Sequence, residues 1–270
     1  MLISSRDNHR IKQLSKLLSS KKARNETGLF VIEGLRGCCD ALRSALTDDG
    51  LDIEAVYYVP EMTDAHKESF PVELIYRLEE NKRFEISRAI ADRIGDAESS
   101  QGIFITAKKT DIPLSGECIH PDGKYLVLDS LQDPGNLGTV IRTADAVGIS
   151  GIILTGNCVE LYNPKVVRSA VGSLPRVKVF IENDRGLVFE ILAENGIRTA
   201  AAVVSGGDDV REFDFSAGCA AVIGNEGKGL STGTVDMCSD RITIAMHGNI
   251  DSLNAATAAA IILWEMTRGV

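Results

Sequence analysis

From residue 125 onward, short apolar segments alternate with segments of helical spacing, and this rhythm constrains the fold more than any other feature. The strand-like segments include YLVL (125–128), GIIL (151–154) and AAVI (220–223). Strands that are apolar on both faces and alternate with helices are typical of a parallel sheet covered on both sides. This part of the chain is therefore predicted to be α/β. The predicted strands are 125–128, 151–154, 176–181, 199–204, 220–223 and 241–244, and the predicted helices are 136–147, 164–171, 185–194 and 252–266.

The first hundred residues predict a second, smaller α/β unit. Its first helix places Ile11, Leu14, Leu17 and Leu18 on one face. Residues 109–123 lack periodicity and are rich in proline and glycine, which is typical of a linker. We therefore expect domains at 1–108 and 124–270. The predicted N-terminal elements are helices at 8–19 and 35–46 and strands at 28–32, 54–59, 72–76 and 102–106.

Charge is distributed unevenly along the chain. The whole sequence carries a net charge of −9, which argues against nucleic acid as a partner, yet residues 1–24 contain seven basic residues and one acidic residue. A basic segment in an acidic protein predicts a localised anion-binding surface. A second basic cluster lies after residue 164. The candidate anion-binding residues are Arg10, Lys12, Lys16, Lys21, Lys22, Arg24, Lys165 and Arg168.

The six cysteines are scattered and form no C-x-x-C pair. This usage predicts reduced thiols in a cytoplasmic protein and no metal site. The most apolar stretch, 255–264, has ten residues, whereas a membrane-spanning helix needs about 20. We therefore expect no membrane partner.

Three loops that follow predicted strands carry polar residues suited to chemistry. The first, after 125–128, contains a Pro-Gly turn, Asn136 placed to cap the next helix, and Arg142 further along that helix. The second, GNEGKGL (224–230), lets backbone amides reach a ligand, but it has neither P-loop nor dinucleotide-binding spacing. The third leads into an alanine-rich helix that Asp251 or Ser252 is expected to cap. Ligands of parallel sheets bind at such loops.

In their order and spacing these loops resemble the motifs of the SpoU/TrmH family of RNA ribose 2′-O-methyltransferases, in the SPOUT class. The matching segments are DPGNLGTVIRTADAVG (133–148), VIGNEGKGL (222–230), and ITIAM with SLNAA between 242 and 256. NPKVVRSAVGSLPRV (163–177) also fits the family. Residues 5–36 and SSQGIF (99–104) resemble the ribosomal-protein-like substrate-binding domain of this group. The resemblance therefore makes the basic residues named above the candidate RNA-binding residues, with the segment 6–24 as the first contact with RNA.

The resemblance implies a parallel sheet with a deep trefoil knot, a homodimer formed through the helices of the third motif, and S-adenosylmethionine as cofactor. Gly224, Ile244 and Leu253 correspond to cofactor-binding positions. Arg142 corresponds to the essential residue, supported by Asn136 and Glu226 and completed by Ser252 and Asn254.

For this family, the arginine is described as the general base that removes the proton of the 2′-hydroxyl. A guanidinium stays protonated in proteins, so we favour Arg142 as a clamp on an RNA phosphate. A phosphate oxygen or solvent then remains as the acceptor of the hydroxyl proton.

The expected function is methyl transfer to a ribose 2′-hydroxyl of structured RNA. We expect 23S rRNA because relatives with this N-terminal domain act on rRNA, and a tRNA substrate is the alternative. A non-catalytic RNA-binding assembly factor is opposed by the presence of Asn136, Arg142, Glu226 and Asn254. A methyltransferase for a small molecule would leave the basic N-terminal segment unexplained.

Overall fold

The computed structural model describes residues 2–47, 50–66, 70–95 and 100–268. It contains two compact units, one formed by Met1–Thr110 with Glu160–Pro175 and the other by Asp111–Val159 with Arg176–Val270. Ser99, the first residue of the SSQGIF segment, lies outside the described residues. Within those residues, no helix is long and apolar enough to cross a membrane.

The elements are numbered in chain order. Up to Thr110 they are β1 (Leu2–Ile3), α1 (His9–Ser19), α2 (Lys21–Thr27), β2 (Leu29–Glu33), α3 (Leu35–Ser44), β3 (Ile53–Tyr58), α4 (Pro60–Asp64), α5 (Glu73–Tyr76), β4 (Arg83–Ile86), α6 (Arg88–Ile94) and β5 (Ile103–Lys108). From Asp111 they are β6 (Ile112–Pro113), β7 (Lys124–Asp129), α7 (Pro134–Val147), β8 (Gly151–Thr155), α8 (Pro164–Ala170), β9 (Val179–Ile181), α9 (Arg185–Glu194), β10 (Arg198–Ala202), β11 (Asp208–Asp209), β12 (Cys219–Ile223), α10 (Thr232–Met237), β13 (Asp240–Thr243) and α11 (Ala255–Thr267).

The N-terminal unit has a mixed sheet, whose strand order in the described part of the chain is β1-β4-β3-β5-β2. β3 runs parallel to β4 and antiparallel to β5. Helix α1 follows from its sequence, because the Asn8 side chain accepts a hydrogen bond from the Arg10 N–H and one face buries Ile11, Leu14 and Leu17. The predicted amphipathic helix at 8–19 is therefore confirmed, as are the second predicted helix and the strands at 28–32, 54–59 and 102–106.

One prediction in this unit is wrong, and five elements were missed. Residues 72–76 were expected to form a strand but form helix α5, in which Ile75 is buried while Tyr76 is 58% exposed. The missed elements are β1, α2, α4, β4 and α6. Each has at most seven residues, which is too short for apolar periodicity to indicate it.

The structure adds two details to the predicted division of the chain. Within 109–123, β6 pairs with β9 at the edge of the C-terminal sheet. Residues 160–175, which the sequence assigned to the C-terminal domain, pack within the N-terminal unit. There the Tyr162 ring lies 4.7 Å from that of Phe30, and its hydroxyl accepts a hydrogen bond from the Thr110 N–H at 2.7 Å.

The C-terminal unit contains the predicted parallel sheet. Its strand order among the described residues is β11-β13-β10-β12-β7-β8-β9-β6, and neighbouring strands are parallel throughout. Every residue of β8 and β12 is buried, which explains their continuous apolar runs. The α/β prediction is confirmed for this unit.

Sheet order brings two of the three candidate loops to the same edge. β12 pairs with β7 along its length, with Ile223 opposite Leu128. Their carboxyl ends therefore coincide, and the loops that follow begin side by side. Helix α11 packs against α7, which brings the end of the third loop, where α11 begins, to the same region.

Candidate active site

The first loop ends where α7 begins, and the cap of that helix differs from the prediction. Asp133 is the N-cap, and its Oδ1 accepts a hydrogen bond from the Asn136 N–H at 2.7 Å. Pro134 occupies the first helical position, where a missing N–H has no consequence. Asn136 therefore lies inside the first turn, and its side-chain amide is available for other partners.

The Asn136 amide joins the three loops. Its Nδ2 donates to Glu226 Oε1 at 3.1 Å, and its Oδ1 accepts from Asn254 Nδ2 at 3.0 Å. Three residues that the sequence placed in one site, each from a different loop, thus form one continuous hydrogen-bonded chain.

Asn254 also begins the last helix. Its Oδ1 accepts hydrogen bonds from the N–H groups of Ala256 at 2.8 Å and Thr257 at 3.3 Å, so Asn254 caps α11. The expectation that Asp251 or Ser252 caps this helix is wrong. Because both ends of the Asn254 amide are used, the side chain has one orientation relative to Asn136.

Glu226 connects the second loop to the backbone of the first. Its carboxylate accepts hydrogen bonds from the N–H of Asp133 at 2.9 Å and of Gln132 at 3.1 Å. Burial raises the pKa of Glu226, but these bonds and the one from Asn136 outweigh burial and leave the pKa below its ordinary value. The group is therefore a carboxylate at neutral pH, suited to holding loops together rather than to accepting a proton.

Arg142 has no such partners. It lies on the exposed side of α7, six residues beyond Asn136 and therefore about 9 Å further along the helix. Within the described ranges, its guanidinium makes no hydrogen bond or ion pair. A guanidinium with five unused donors suits recognition of a phosphate.

A cavity of about 310 Å³ lies beside the second loop. It brings together Gly224, Ile244 and Leu253, the three positions that the resemblance implies for cofactor binding. Gly224 is required there, since an added Cβ would lie 2.3 Å from the backbone of Gly229. Ser252 is an exposed residue at the cavity wall, and Glu226 also lines it.

The candidate RNA-binding residues have unequal surroundings. Lys12, Lys16, Lys21, Lys22 and Lys165 are exposed, although Lys12 pairs with Asp7 and Lys22 with Glu26. Arg10 is half-buried, with its guanidinium 4.2 Å from the centre of the Phe84 ring.

The two remaining basic candidates also have carboxylate partners and are at least half-buried. Arg168 is half-buried and lies 3.7 Å from Glu33. Arg24 is 3% exposed and donates two hydrogen bonds of 2.6 Å to Glu160. A buried guanidinium held in this way cannot reach a phosphate, so the prediction that Arg24 contacts RNA is wrong.

Sequence reasoning missed a second polar cluster beneath the loops. Asp129, the last residue of β7, is 4% exposed and accepts hydrogen bonds from Arg185, Thr234 and Ser130. An acidic residue directly after a buried apolar strand was the available indication. Among the described residues, no group of three or more His, Cys, Asp or Glu side chains could hold a metal ion.

The parallel sheet, with a small-molecule cavity and a fixed polar network at the carboxyl ends of its strands, defines an α/β enzyme domain. Comparison with known families assigns that domain. Residues 123–264 match the SpoU rRNA methylase family, and residues 8–105 match the MRM3-like substrate binding domain. The chain belongs to the SpoU rRNA methylase family, and the predicted membership is confirmed.

Relatives match over nearly the whole chain. The 23S rRNA (guanosine(2553)-2′-O)-methyltransferase RlmP of Bacillus subtilis is 30% identical, with 98% of each chain covered. The 23S rRNA (uridine(2479)-2′-O)-methyltransferase of Streptomyces viridochromogenes is 29% identical, over 97% of this chain and 90% of the relative. A crystal structure of an AdoMet-bound rRNA methyltransferase from Sinorhizobium meliloti superposes with a TM-score of 0.84 at 29% identity, covering 100% of this chain and 98% of that one.

Proposed function

We propose that this protein transfers a methyl group from S-adenosylmethionine to a ribose 2′-hydroxyl of 23S rRNA. The observation that carries the proposal is the hydrogen-bonded chain from Glu226 through Asn136 to Asn254, which joins the three family motifs beside one cavity. The full-length relatives named above are 23S rRNA 2′-O-methyltransferases, and they support this substrate over tRNA.

The cavity suits S-adenosylmethionine. Its volume falls at the lower end of the range for small-molecule sites, about 300–1,000 Å³. Apolar side chains such as Ile244 and Leu253 offer surface to an adenine ring, and the backbone around Gly224 offers hydrogen-bonding groups without a Cβ in the way. The cofactor supplies a methyl carbon activated by its sulfonium, so this chemistry needs no metal.

Some of the residues around the cavity position the loops, and others bind the substrate. Asn136, Glu226 and Asn254 fix the loops, and Ser252 is exposed at the cavity wall where substrate would enter. Arg142 binds a phosphate next to the target nucleotide and thereby orients the 2′-hydroxyl. The hydroxyl proton passes to a phosphate oxygen or to solvent, because the guanidinium stays protonated and Glu226 is occupied by its donors.

The N-terminal region supplies RNA affinity. We propose 1–108 as the substrate-binding domain and 124–270 as the methyltransferase domain, in agreement with the extents of the two family matches. Lys12, Lys16, Lys21 and Lys22 on α1 and α2, together with Lys165 on α8, are exposed cations of one compact unit. Their combined charge would attract the phosphate backbone without reading sequence. An rRNA substrate implies action in the cytoplasm.

Family membership supports two further proposals. We propose that the C-terminal part of the sheet is threaded as a deep trefoil knot, which is consistent with the insertion of β12 between β7 and β10. We also propose a homodimer formed through α11, where Trp264 is 64% exposed. Light scattering of the wild type and of Trp264→Lys tests the dimer, and an unchanged mass in the variant would contradict this interface.

The function is tested by incubating the protein with labelled S-adenosylmethionine and either 23S rRNA or tRNA, followed by nucleoside mass spectrometry. A 2′-O-methyl nucleoside in the rRNA alone is the expected result. Label on tRNA alone would overturn the substrate. Cofactor binding without label on free RNA or on 50S particles would favour a non-catalytic RNA-binding role.

A further inference from the structure

One buried carboxylate lies beneath the loops of the candidate site. Asp129 accepts hydrogen bonds from Arg185 Nη2 at 2.7 Å, Ser130 Oγ at 2.9 Å and Thr234 Oγ1 at 2.9 Å. Arg185 Nε lies 2.9 Å from both carboxylate oxygens. These donors come from three separate places in the C-terminal unit, so the carboxylate holds together elements that are distant in sequence.

The second loop, residues 224–230, is fastened to this carboxylate at both ends. At its start, Asn225 Nδ2 donates to the Ser130 carbonyl at 3.0 Å, and Ser130 in turn donates to Asp129. Just after its end, Thr234 in α10 donates directly to Asp129. Both ends of the loop that lines the cavity are thus connected by hydrogen bonds to one side chain, that of Asp129.

The backbone of Ser130 has an unfavourable conformation that its hydrogen bonds hold in place. Its φ is +61°, a left-handed conformation that a serine rarely adopts. Its Oγ donates to Asp129 and accepts from the Asn157 N–H at 3.2 Å, while its own N–H donates to the Thr155 carbonyl at 3.1 Å. This conformation directs the Ser130 carbonyl to Asn225, and its cost is offset by the surrounding hydrogen bonds.

Within the loop, Asn225 continues the chain of contacts. Its Oδ1 accepts hydrogen bonds from the N–H groups of Gly227 at 3.0 Å and Lys228 at 3.1 Å, and its backbone pairs with Gly229. Displacement of Asn225 would therefore move the glycine backbone that lines the cavity.

We propose that Asp129 is a positioning residue for the cofactor loop: through Ser130 with Asn225 at one end and Thr234 at the other, it sets the shape of residues 224–230 that S-adenosylmethionine requires. The inference rests on the proposed function for the identity of the ligand. The loop's dependence on Asp129 is independent of that identity.

Electrostatics agree with this role. Burial raises the pKa of Asp129, but hydrogen bonds from Arg185, Thr234 and Ser130 together lower it by more than burial raises it. The pKa therefore lies below its ordinary value. Asp129 is therefore a carboxylate at neutral pH and accepts hydrogen bonds from all three residues.

The test compares substitutions of the same kind in two buried threonines. Thr234→Val removes the donor to Asp129, and Thr234→Ser keeps it. Thr155→Val is the matched control, because Thr155 is 1% exposed, ends the neighbouring strand β8, and has a hydroxyl without a hydrogen-bond partner among the described residues. Asp129→Asn removes the charge itself. Hydrogen exchange of 224–230, the Kd of S-adenosylmethionine, and kcat at saturating cofactor are measured for each.

We expect Thr234→Val to accelerate exchange in 224–230 and to raise the Kd of S-adenosylmethionine about tenfold. Its kcat at saturating cofactor should stay within about twofold of the wild type, a split that a general loss of structure would not give. Thr234→Ser and Thr155→Val should resemble the wild type in both measurements. Asp129→Asn should accelerate exchange and raise the Kd more than Thr234→Val does.

Equal exchange and equal Kd in the two valine variants would overturn the proposal, as would failure of Thr234→Ser to restore both. A wild type that binds no S-adenosylmethionine would refute the proposed function instead, and loop exchange would still decide the role of Asp129.

Discussion

Arg24 in the N-terminal unit and Arg142 in the C-terminal unit have opposite surroundings. Arg24 is 3% exposed, donates to both oxygens of Glu160 and reaches the Leu18 carbonyl at 3.3 Å. Arg142 is exposed and, among the described residues, has no partner. The difference separates a cation that completes a fold from one that is available to a ligand. A buried arginine that donates to acceptors of its own unit stabilises that unit, whereas an exposed arginine with unused donors can bind a phosphate.

The comparison predicts that the largest effect on stability comes from Arg24→Ala. Loss of the guanidinium leaves the nearly buried Glu160 carboxylate unpaired, which should lower the free energy of unfolding of the N-terminal unit by about 3–5 kcal/mol. Chemical denaturation, monitored by hydrogen exchange within that unit, measures this loss of stability. The double variant Arg24→Met/Glu160→Leu should recover much of the loss, and an equally unstable double variant would contradict a role limited to this pair.

Arg142→Ala should strongly reduce methyl transfer without affecting stability. We expect methyl transfer to fall by about 10²–10³-fold because a charge-assisted contact to the substrate is removed. The Kd of S-adenosylmethionine and the melting temperature should not change. Arg241→Ala, which removes an exposed arginine paired with Asp236, is the control and should retain activity. Full activity in Arg142→Ala would refute the assignment.

Glu226 tests the fixed part of the same site. Glu226→Ala removes the acceptor for two backbone N–H groups and for Asn136, and should reduce kcat/KM by about ten- to hundredfold. Glu226→Gln keeps one acceptor oxygen and should be less impaired. Glu212→Ala, an exposed acid of the same unit, serves as control. Equal activities for the alanine and glutamine variants would argue against a positioning role.

The pH dependence of the Glu226 contribution has a definite sign. Because its folded-state pKa lies below the ordinary value, the stabilisation is complete above the unfolded pKa, about 4.3, and is lost as the pH falls through the folded pKa. The difference in melting temperature between wild type and Glu226→Gln should thus be constant from pH 8 to pH 6 and shrink below about pH 4. A difference that first shrinks near pH 7 would mean that the pKa is raised.

The smallest effect is expected at the exposed lysines. Lys16→Ala should weaken RNA binding only slightly and reduce the slope of log K against log salt by about one if Lys16 contacts one phosphate. Titrations at several salt concentrations measure this slope, with Lys178→Ala, outside the candidate set, for comparison. An unchanged slope in Lys16→Ala would remove α1 from the RNA-binding surface.

Most of the elements could be predicted because their indications are local. The apolar runs of β7, β8 and β12 and the spacing of Ile11, Leu14 and Leu17 need no knowledge of the rest of the chain. The N-caps of α7 and α11 were predicted wrongly because residue type alone does not locate the first turn of a helix. Asn136 and Asp133 are both good N-caps by type, and only the position of the first turn decides between them.

The candidate site could be predicted as a set of residues but not as an arrangement. Motif order indicated Asn136, Glu226 and Asn254, whereas Asp129 lacked a motif and Arg24 was judged by charge alone. Burial decides whether a charged side chain belongs to a site or to the core, and burial depends on what packs over it.

The sequence by itself determined the alternation of strands and helices, the three loops that follow strands, and the family. Only the tertiary structure decided that Asn136 meets Glu226, 90 residues away, and Asn254, 118 residues away. It also decided that residues 160–175 bury Arg24 within the N-terminal unit. The physical reason is that periodicity arises from the backbone's own geometry, whereas contacts between distant residues depend on strand order and register, which many sequences of the same pattern could satisfy in different ways.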